Sequence, residues 1–351
     1  FLLLMGLTLS SLENWAMAIQ WTLLSALLWS LVWQQSAQRL IDNRAAPGTA
    51  LYPSLGWANR LTILRGFLIA LCAGFLWQSL NHALLFWLPA FLYSVAAILD
   101  RVDGYVARRT RRTSEMGNAL DNVFDALGLL VAPLLALDFG KIHWAYLLVS
   151  CAYYAFHLGL RWRTRQGRPN YSLTPNQLRR TLAGFQMGYV AVVLWPPFDA
   201  QITRLAGFAF MLPILIGFMI DWCVVSGRID IQQARTERFF NSLATRSVAL
   251  GQPALRLVFL IALAFMITQG HWQGLTLLGY VSAAILISLG IGARLGALLA
   301  LALLALLPPL GDSAATTLLL FSATWIMLLG SGRYSLWQGD DHWVERHDGE
   351  P

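Results

Sequence analysis

Charged residues are scarce in this sequence: Asp, Glu, Lys and Arg make up 12% of its 351 residues, while 57% are hydrophobic. A soluble chain of this length could bury a large core, but it would not need so many long apolar stretches with so few charges between them. Cysteine is scarce too. Cys72, Cys151 and Cys223 each lie inside an apolar segment without a partner at metal-ligand spacing, which excludes a disulfide framework and a thiolate zinc site. No internal repeat relates one half to the other, and the six histidines (His82, His143, His157, His271, His342, His347) are scattered. Residues 1–10 are apolar with no basic group ahead of them, which weighs against a signal peptide.

Long apolar runs are plentiful instead. Crossing a hydrocarbon core takes about 20 residues per helix, and candidate spans fall at 15–33, 59–80, 83–109, 114–137, 144–160, 180–194 and 202–225, with shorter ones at 255–268, 275–291, 295–307 and 316–329. The class is an all-α polytopic membrane protein. The net charge is +7, but the arginines sit in short loops between apolar runs, where they serve topology and anionic-lipid contact; nucleic acid is not an expected partner. Arginines cluster in alternate loops, at 108–112, 161–180, 228–246 and Arg294, and the intervening turns hold only Lys141. By the positive-inside rule the arginine-rich loops face the cytoplasm, as expected for a bacterial inner membrane. The organisation reads as an N-terminal transmembrane helix and linker over 1–56, a core over 57–230, a cytoplasmic connector over 231–252, about four further transmembrane helices over 253–332 and a polar cytoplasmic tail over 333–351. In the connector, Arg235, Glu237 and Arg238 beside Phe239 and Phe240 read equally as an amphipathic helix in the interface and as a solvated linker.

One stretch breaks the apolar pattern. Residues 100–125 hold four aspartates, two glycines and five arginines. Charge at membrane depth costs several kcal/mol unless it is paired, binds ions or lines a polar cavity, so the cluster is a candidate site. On a helix Asp100, Asp103, Gly104 and Ala107 share a face, and Gly117, Asp121 and Asp125 make a stripe at steps of four on the next one. A turn over 109–116 would bring the four carboxylates together, with Thr113 or Ser114 capping the second helix. Such anions repel unless cations occupy the middle, and donors that are all oxygen favour Mg²⁺ or Mn²⁺. Glycine and alanine among them leave room for a ligand against the backbone; they also suit close helix packing. On the preceding helix Asn59, Thr62 and Arg65 recur at steps of three and make a polar stripe, which also suits interfacial residues at a helix entrance.

The arrangement D-x-x-D-G-x-x-A-R, eight residues, G-x-x-x-D-x-x-x-D resembles the signature of the CDP-alcohol phosphotransferase family at all eight fixed positions: Asp100, Asp103, Gly104, Ala107, Arg108, Gly117, Asp121 and Asp125. With each residue type at about one in twenty, chance produces this at a given site on the order of once in ten billion. A-N-R-L-T-I-L-R over 58–65 is similar to a second family pattern, with Ala58 where the family has proline, and this resemblance implies that Asn59, Thr62 and Arg65 form a wall of the nucleotide-diphosphate pocket. The resemblance implies a six-helix core, with one extra N-terminal helix and about four extra C-terminal helices in this chain. It implies two divalent ions, Mg²⁺ or Mn²⁺, held mainly by the first three aspartates. Asp125, itself in the ligand set, would take the proton from the attacking alcohol. Gly104, Ala107 and Gly117 then lie along the nucleotide, and Arg108 either contacts the diphosphate or orients a carboxylate. The implied reaction moves a phosphatidyl group from CDP-diacylglycerol to an alcohol and releases CMP.

The implied partners are CDP-diacylglycerol, an alcohol or alcohol-phosphate acceptor, membrane lipids and, as an open alternative, a second copy in a homodimer. A phosphate-bearing acceptor needs basic groups, for which Arg161, Arg163 and Arg228 are candidates. Asp221 is expected to pair with an arginine, and Gln186 is only faintly similar to a family glutamine. Two alternatives stand beside this reading. One is transfer of a CDP-linked choline or ethanolamine head group to diacylglycerol; the other, from a different class, is a transporter or channel with an acidic cation site.

Overall fold

The computed structural model describes residues 1–173, 177–230, 233–270, 274–309, 314–337 and 339. His271, His342, His347 and most of the expected tail lie outside them, as do the first two residues of the expected connector. The described residues are helical with no strand. The helices are α1 (Leu2–Leu12), α2 (Trp15–Gln38), α3 (Gly56–Ala73), α4 (Trp87–Arg109), α5 (Glu115–Asp138), α6 (Leu147–Arg165), α7 (Gln177–Val193), α8 (Ala200–Val225), α9 (Ala234–Arg246), α10 (Gln252–Thr268), α11 (Gly274–Leu289), α12 (Ala293–Leu306) and α13 (Ala314–Leu329). Five helical stretches among the described residues are long and apolar enough to cross a membrane: α2, α4 with its 3₁₀ lead-in, α5, α8 and the unbroken run Ala234–Thr268. The chain is a multi-pass membrane protein.

Three features depart from the sequence expectation. The apolar start is a helix of its own, α1. The second expected span ends at Ala73, several residues early, and the chain turns there through Trp77 in the left-handed region. The connector takes the helical one of its two readings, but without a break before the next span: α9 passes through a π-turn, Ser247–Gly251, straight into α10, and every residue of α9 stays at least partly exposed.

The chain divides into two compact units. The first comprises residues 1–150 and 187–196, and its centre is where α2, α3 and α5 meet. Met116, Leu120 and Phe124, at steps of four on α5, bury themselves against Val32 of α2. A Cβ on Gly66 of α3 would lie 2.8 Å from Val32 and 3.1 Å from Phe124, so the absence of a side chain there sets how closely the three helices approach. Pro133 inside α5 has no N–H for the carbonyl of Leu129, and the hydroxyl of Ser150 donates to that oxygen instead (2.7 Å).

The second unit comprises residues 151–186 and 197–346 in its described part. Pro213 in α8 frees the carbonyl of Ala209 in the same way, and the indole of Trp325 in α13 donates to it (3.1 Å). Gly296 of α12 lies against α11, where an added Cβ would be 3.0 Å from the carbonyl of Ala283. Buried Arg256 donates to the carbonyls of Ser288, Ser331 and Arg333, and buried Arg294 to that of Met327. These cations answer carbonyls at the ends of α11 and α13.

Candidate active site

All four aspartates belong to the first unit, on α4 and α5. The turn between these helices is short. Arg108 and Arg109 sit in the last turn of α4, where positive charge suits the dipole, and Arg111 adopts a left-handed conformation (φ 51°) while the N–H of Arg112 reaches back to the carbonyl of Ala107 (3.0 Å). Ser114 then caps α5: its hydroxyl oxygen accepts from the N–H of Gly117 (3.0 Å). The alternative cap, Thr113, instead gives its carbonyl to the hydroxyl of Tyr52 (3.2 Å). Because Met116, Leu120 and Phe124 are fixed on the core, the adjacent stripe of Gly117, Asp121 and Asp125 faces α4 and α3.

One carboxylate oxygen from each of Asp100, Asp121 and Asp125 lies within 4.8 Å of the other two. Oxygen donors from two helices at that separation fit a hard divalent cation, with neither Cys nor His in the set. Asp103 is held aside: buried, it accepts the hydroxyl hydrogen of Thr62 (2.7 Å). Among the three clustered carboxylates sits the guanidinium of Arg65, only 2% exposed. It pairs with Asp100, approaches Asp121 at 2.8 Å and Asp125 at 3.4 Å, and also donates to the backbone carbonyl of Asp121 (3.2 Å). Oδ1 of Asp125 is buried and accepts no hydrogen bond.

The α3 stripe thus meets the aspartates side chain by side chain, with Thr62 on Asp103 and Arg65 on the other three. Asn59 completes it one turn earlier. Its amide oxygen accepts from Ser114 (3.1 Å) and its amide N–H₂ donates to Asn43 (3.1 Å), so both ends of the group are engaged. A Cβ on Gly117 would lie 2.8 Å from the Asn59 oxygen, and one on Gly104 would lie 3.2 Å from the guanidinium of Arg108. Gly104, Ala107 and Gly117 are half-buried, and Arg108 is exposed.

The acceptor candidates belong to the second unit. Arg163 is buried and spends its guanidinium on Asn170 (3.1 Å) and on the carbonyls of Pro169 (2.7 Å) and Ser226 (3.5 Å), which pins the end of α6. Arg161 and Arg228 are exposed. Asp221 does pair with an arginine, Arg179, at 2.6 Å. Sequence reasoning missed Asn43 altogether. Its only signal was an Asn in a polar linker, and its partner Asn59 is 16 positions away.

The profile of the CDP-alcohol phosphatidyltransferase family matches residues 55–222. Helices α3 to α8, six in number, fall almost entirely within that stretch. A CDP-diacylglycerol–glycerol-3-phosphate 3-phosphatidyltransferase of Pectobacterium atrosepticum is 32% identical over 92 residues, which is 26% of this chain and 47% of the relative. A protein of the same name from Blochmanniella floridana is 32% identical over 69 residues, 19% of this chain and 36% of the relative. The chain therefore spans less than half the length of each of these relatives. No solved structure matches the chain. Over residues 55–222, just under half of its length, this chain is similar to the CDP-alcohol phosphatidyltransferase family.

Proposed function

We propose that this protein transfers a phosphatidyl group from CDP-diacylglycerol to an alcohol and releases CMP. The observation that carries the reading is the convergence of Asp100, Asp121 and Asp125 from α4 and α5 inside the family segment. Those three residues, with Asp103 beside them, would hold the divalent cations, Mg²⁺ or Mn²⁺. Such ions neutralise a diphosphate and polarise the phosphorus for in-line attack. The residues of the chain do the rest. Asp125 is the general base: its Oδ1, buried beside Arg65 at 3.4 Å, accepts no hydrogen bond and would take the proton from the alcohol hydroxyl. Thr62 fixes one carboxylate and Arg65 the others, so the donors keep their positions through the reaction. Gly104, Ala107 and Gly117, which carry at most a methyl group, would let the nucleotide lie against the backbone of α4 and α5, with Arg108 beside its diphosphate.

The catalytic core is residues 57–230, in a bacterial inner membrane with the site on the cytoplasmic side, a reading supported by the arginines of loop 108–112. Both relatives are named for glycerol 3-phosphate, which makes it the first acceptor to test, and exposed Arg161 and Arg228 are the candidates for its phosphate. The test is purified protein in detergent with CDP-diacylglycerol, Mn²⁺ or Mg²⁺ and a panel of alcohols, following CMP. Metal-dependent release is expected, abolished by Asp103→Asn and by Asp125→Asn with the fold intact. Unchanged turnover in either variant refutes the site, and cation flux without CMP would mark a transporter.

A further inference from the structure

We propose that Asn43, which precedes the family segment, is a positioning residue for the metal-bearing face of α5; this rests on the reading of the site given above. Asn43 is buried in the linker between α2 and α3. Its amide oxygen accepts from Asn59 (3.1 Å), its amide N–H₂ donates to the carbonyl of Ser54 (3.1 Å), and its own carbonyl accepts from the N–H of Tyr52 (2.8 Å). From Asn59 the chain of hydrogen bonds continues through the hydroxyl of Ser114 to the N–H of Gly117. Donors and acceptors alternate along it, so neither amide can turn over without setting like against like.

This chain acts on the start of α5 at the point where the helix has least slack. Gly117 is packed so closely on Asn59 that an added Cβ would stand 2.8 Å from its oxygen. Asp121 and Asp125 follow at one and two turns, about 6 and 12 Å along a rigid helix. A displacement of Asn59 is therefore passed to both carboxylates with little loss. The linker grips the same end of α5 elsewhere: the N–H of Glu115 donates to the carbonyl of Arg44 (3.0 Å), the hydroxyl of Tyr52 to that of Thr113 (3.2 Å), and Arg112 to that of Ser54 (3.4 Å). The segment outside the family match is thereby built into the site that the match contains. Asn43 touches no carboxylate; it acts through Asn59 and Ser114.

The experiment measures binding of Mn²⁺ alone to the full-length protein in nanodiscs, by the electron paramagnetic resonance signal of the free ion. Loss of an outer hydrogen-bond partner typically weakens a metal site by about 10-fold or more, and that loss is expected of Asn43→Ala. Asn59→Ala should weaken binding comparably, and the double variant no further, because both substitutions cut one chain. Wild-type affinity in Asn43→Ala overturns the proposal even if the melting midpoint falls, and so do additive losses in the double variant. Should Asn43→Ala not fold, Asn43→Asp keeps the oxygen facing Asn59 while it sets a carboxylate oxygen against the carbonyl of Ser54 in place of the donor. It should melt earlier but bind Mn²⁺ within about fivefold of wild type; a larger loss assigns the effect to the Ser54 anchor and refutes the role given to Asn59. Absence of Mn²⁺ binding by the wild type overturns the metal reading itself, and this proposal with it.

Discussion

Replacing Arg65 by methionine removes the positive charge that faces three carboxylates while keeping a long, apolar stem in its place. At the 4.8 Å that bounds the separation of the three carboxylate oxygens, two unit charges repel by about 3.5 kcal/mol at an effective dielectric of about 20. Three pairs would give on the order of 10 kcal/mol. Solvent lowers that figure, because the side chains of Asp121 and Asp125 are 47% and 39% exposed and are screened. Removing one partner of a buried ion pair generally costs about 3–5 kcal/mol, and with half-exposed partners the lower end applies. The expected loss for Arg65→Met is therefore about 3 kcal/mol, or about 6–12 °C in the melting midpoint of a domain of this size. A divalent cation among the same oxygens supplies the missing charge, so the deficit should be full in EDTA and mostly restored by Mn²⁺. The assay is a thermal melt of wild type and variant in detergent, in both buffers at one scan rate. An equal drop in both, or none in EDTA, would show that Arg65 is not the counter-charge of this cluster.

Two further perturbations probe other parts of the first unit, one of them beside a control in the second. Gly117→Ala drives a Cβ to 2.8 Å from Asn59 and 3.1 Å from Ser114; a loss of about 1–3 kcal/mol and reduced CMP release are expected, whereas Gly184→Ala, with open space around it, should be neutral or gain up to about 1 kcal/mol. Equal stability of the two variants would contradict the packing described. Glu13, between α1 and α2, accepts hydrogen bonds from the backbone N–H of His82 (2.6 Å) and Asn81 (2.8 Å) and from the Asn81 side chain (2.9 Å), and these hold its carboxyl below the usual range, that of His82 most of all. Because the folded-state value is depressed, its stabilising contribution is complete above the unfolded carboxyl's range and fades as pH falls below about 4.3 towards the lower folded value. Glu13→Gln should flatten the melting profile in that window, and superimposable profiles would deny the contact any weight.

Much of this site could be read from the sequence because helical periodicity carries it. The spacing of Asp121 and Asp125 from Gly117 put them on one face, Ser114 was among the caps expected, and Asn59, Thr62 and Arg65 formed a stripe at steps of three. What periodicity could not supply was the assignment of partners across helices. It did not distinguish Asp103, which turns to Thr62, from the three aspartates that close on Arg65. It gave no hint of Asn43, since a contact between a linker and a helix depends on how the linker folds back. The unbroken run from α9 into α10 was missed for a related reason: polar residues around a whole turn look the same in a helix leaving the membrane as in a solvated loop.

The two proline-freed carbonyls bear on how this chain could be shortened or recombined. Without the indole of Trp325, the oxygen of Ala209 would face hydrocarbon with no donor, at a cost of several kcal/mol. Ala209 lies inside the family segment, yet the group that answers it comes from α13, far beyond that segment. A gene truncated before Ala314 would therefore damage a helix it still encodes, unless Pro213 were replaced in the same event. Pro213 with Trp325, and Pro133 with Ser150, are expected to be gained and lost as pairs. The added helices are on this account heirs to a proline, not ornaments on a finished domain.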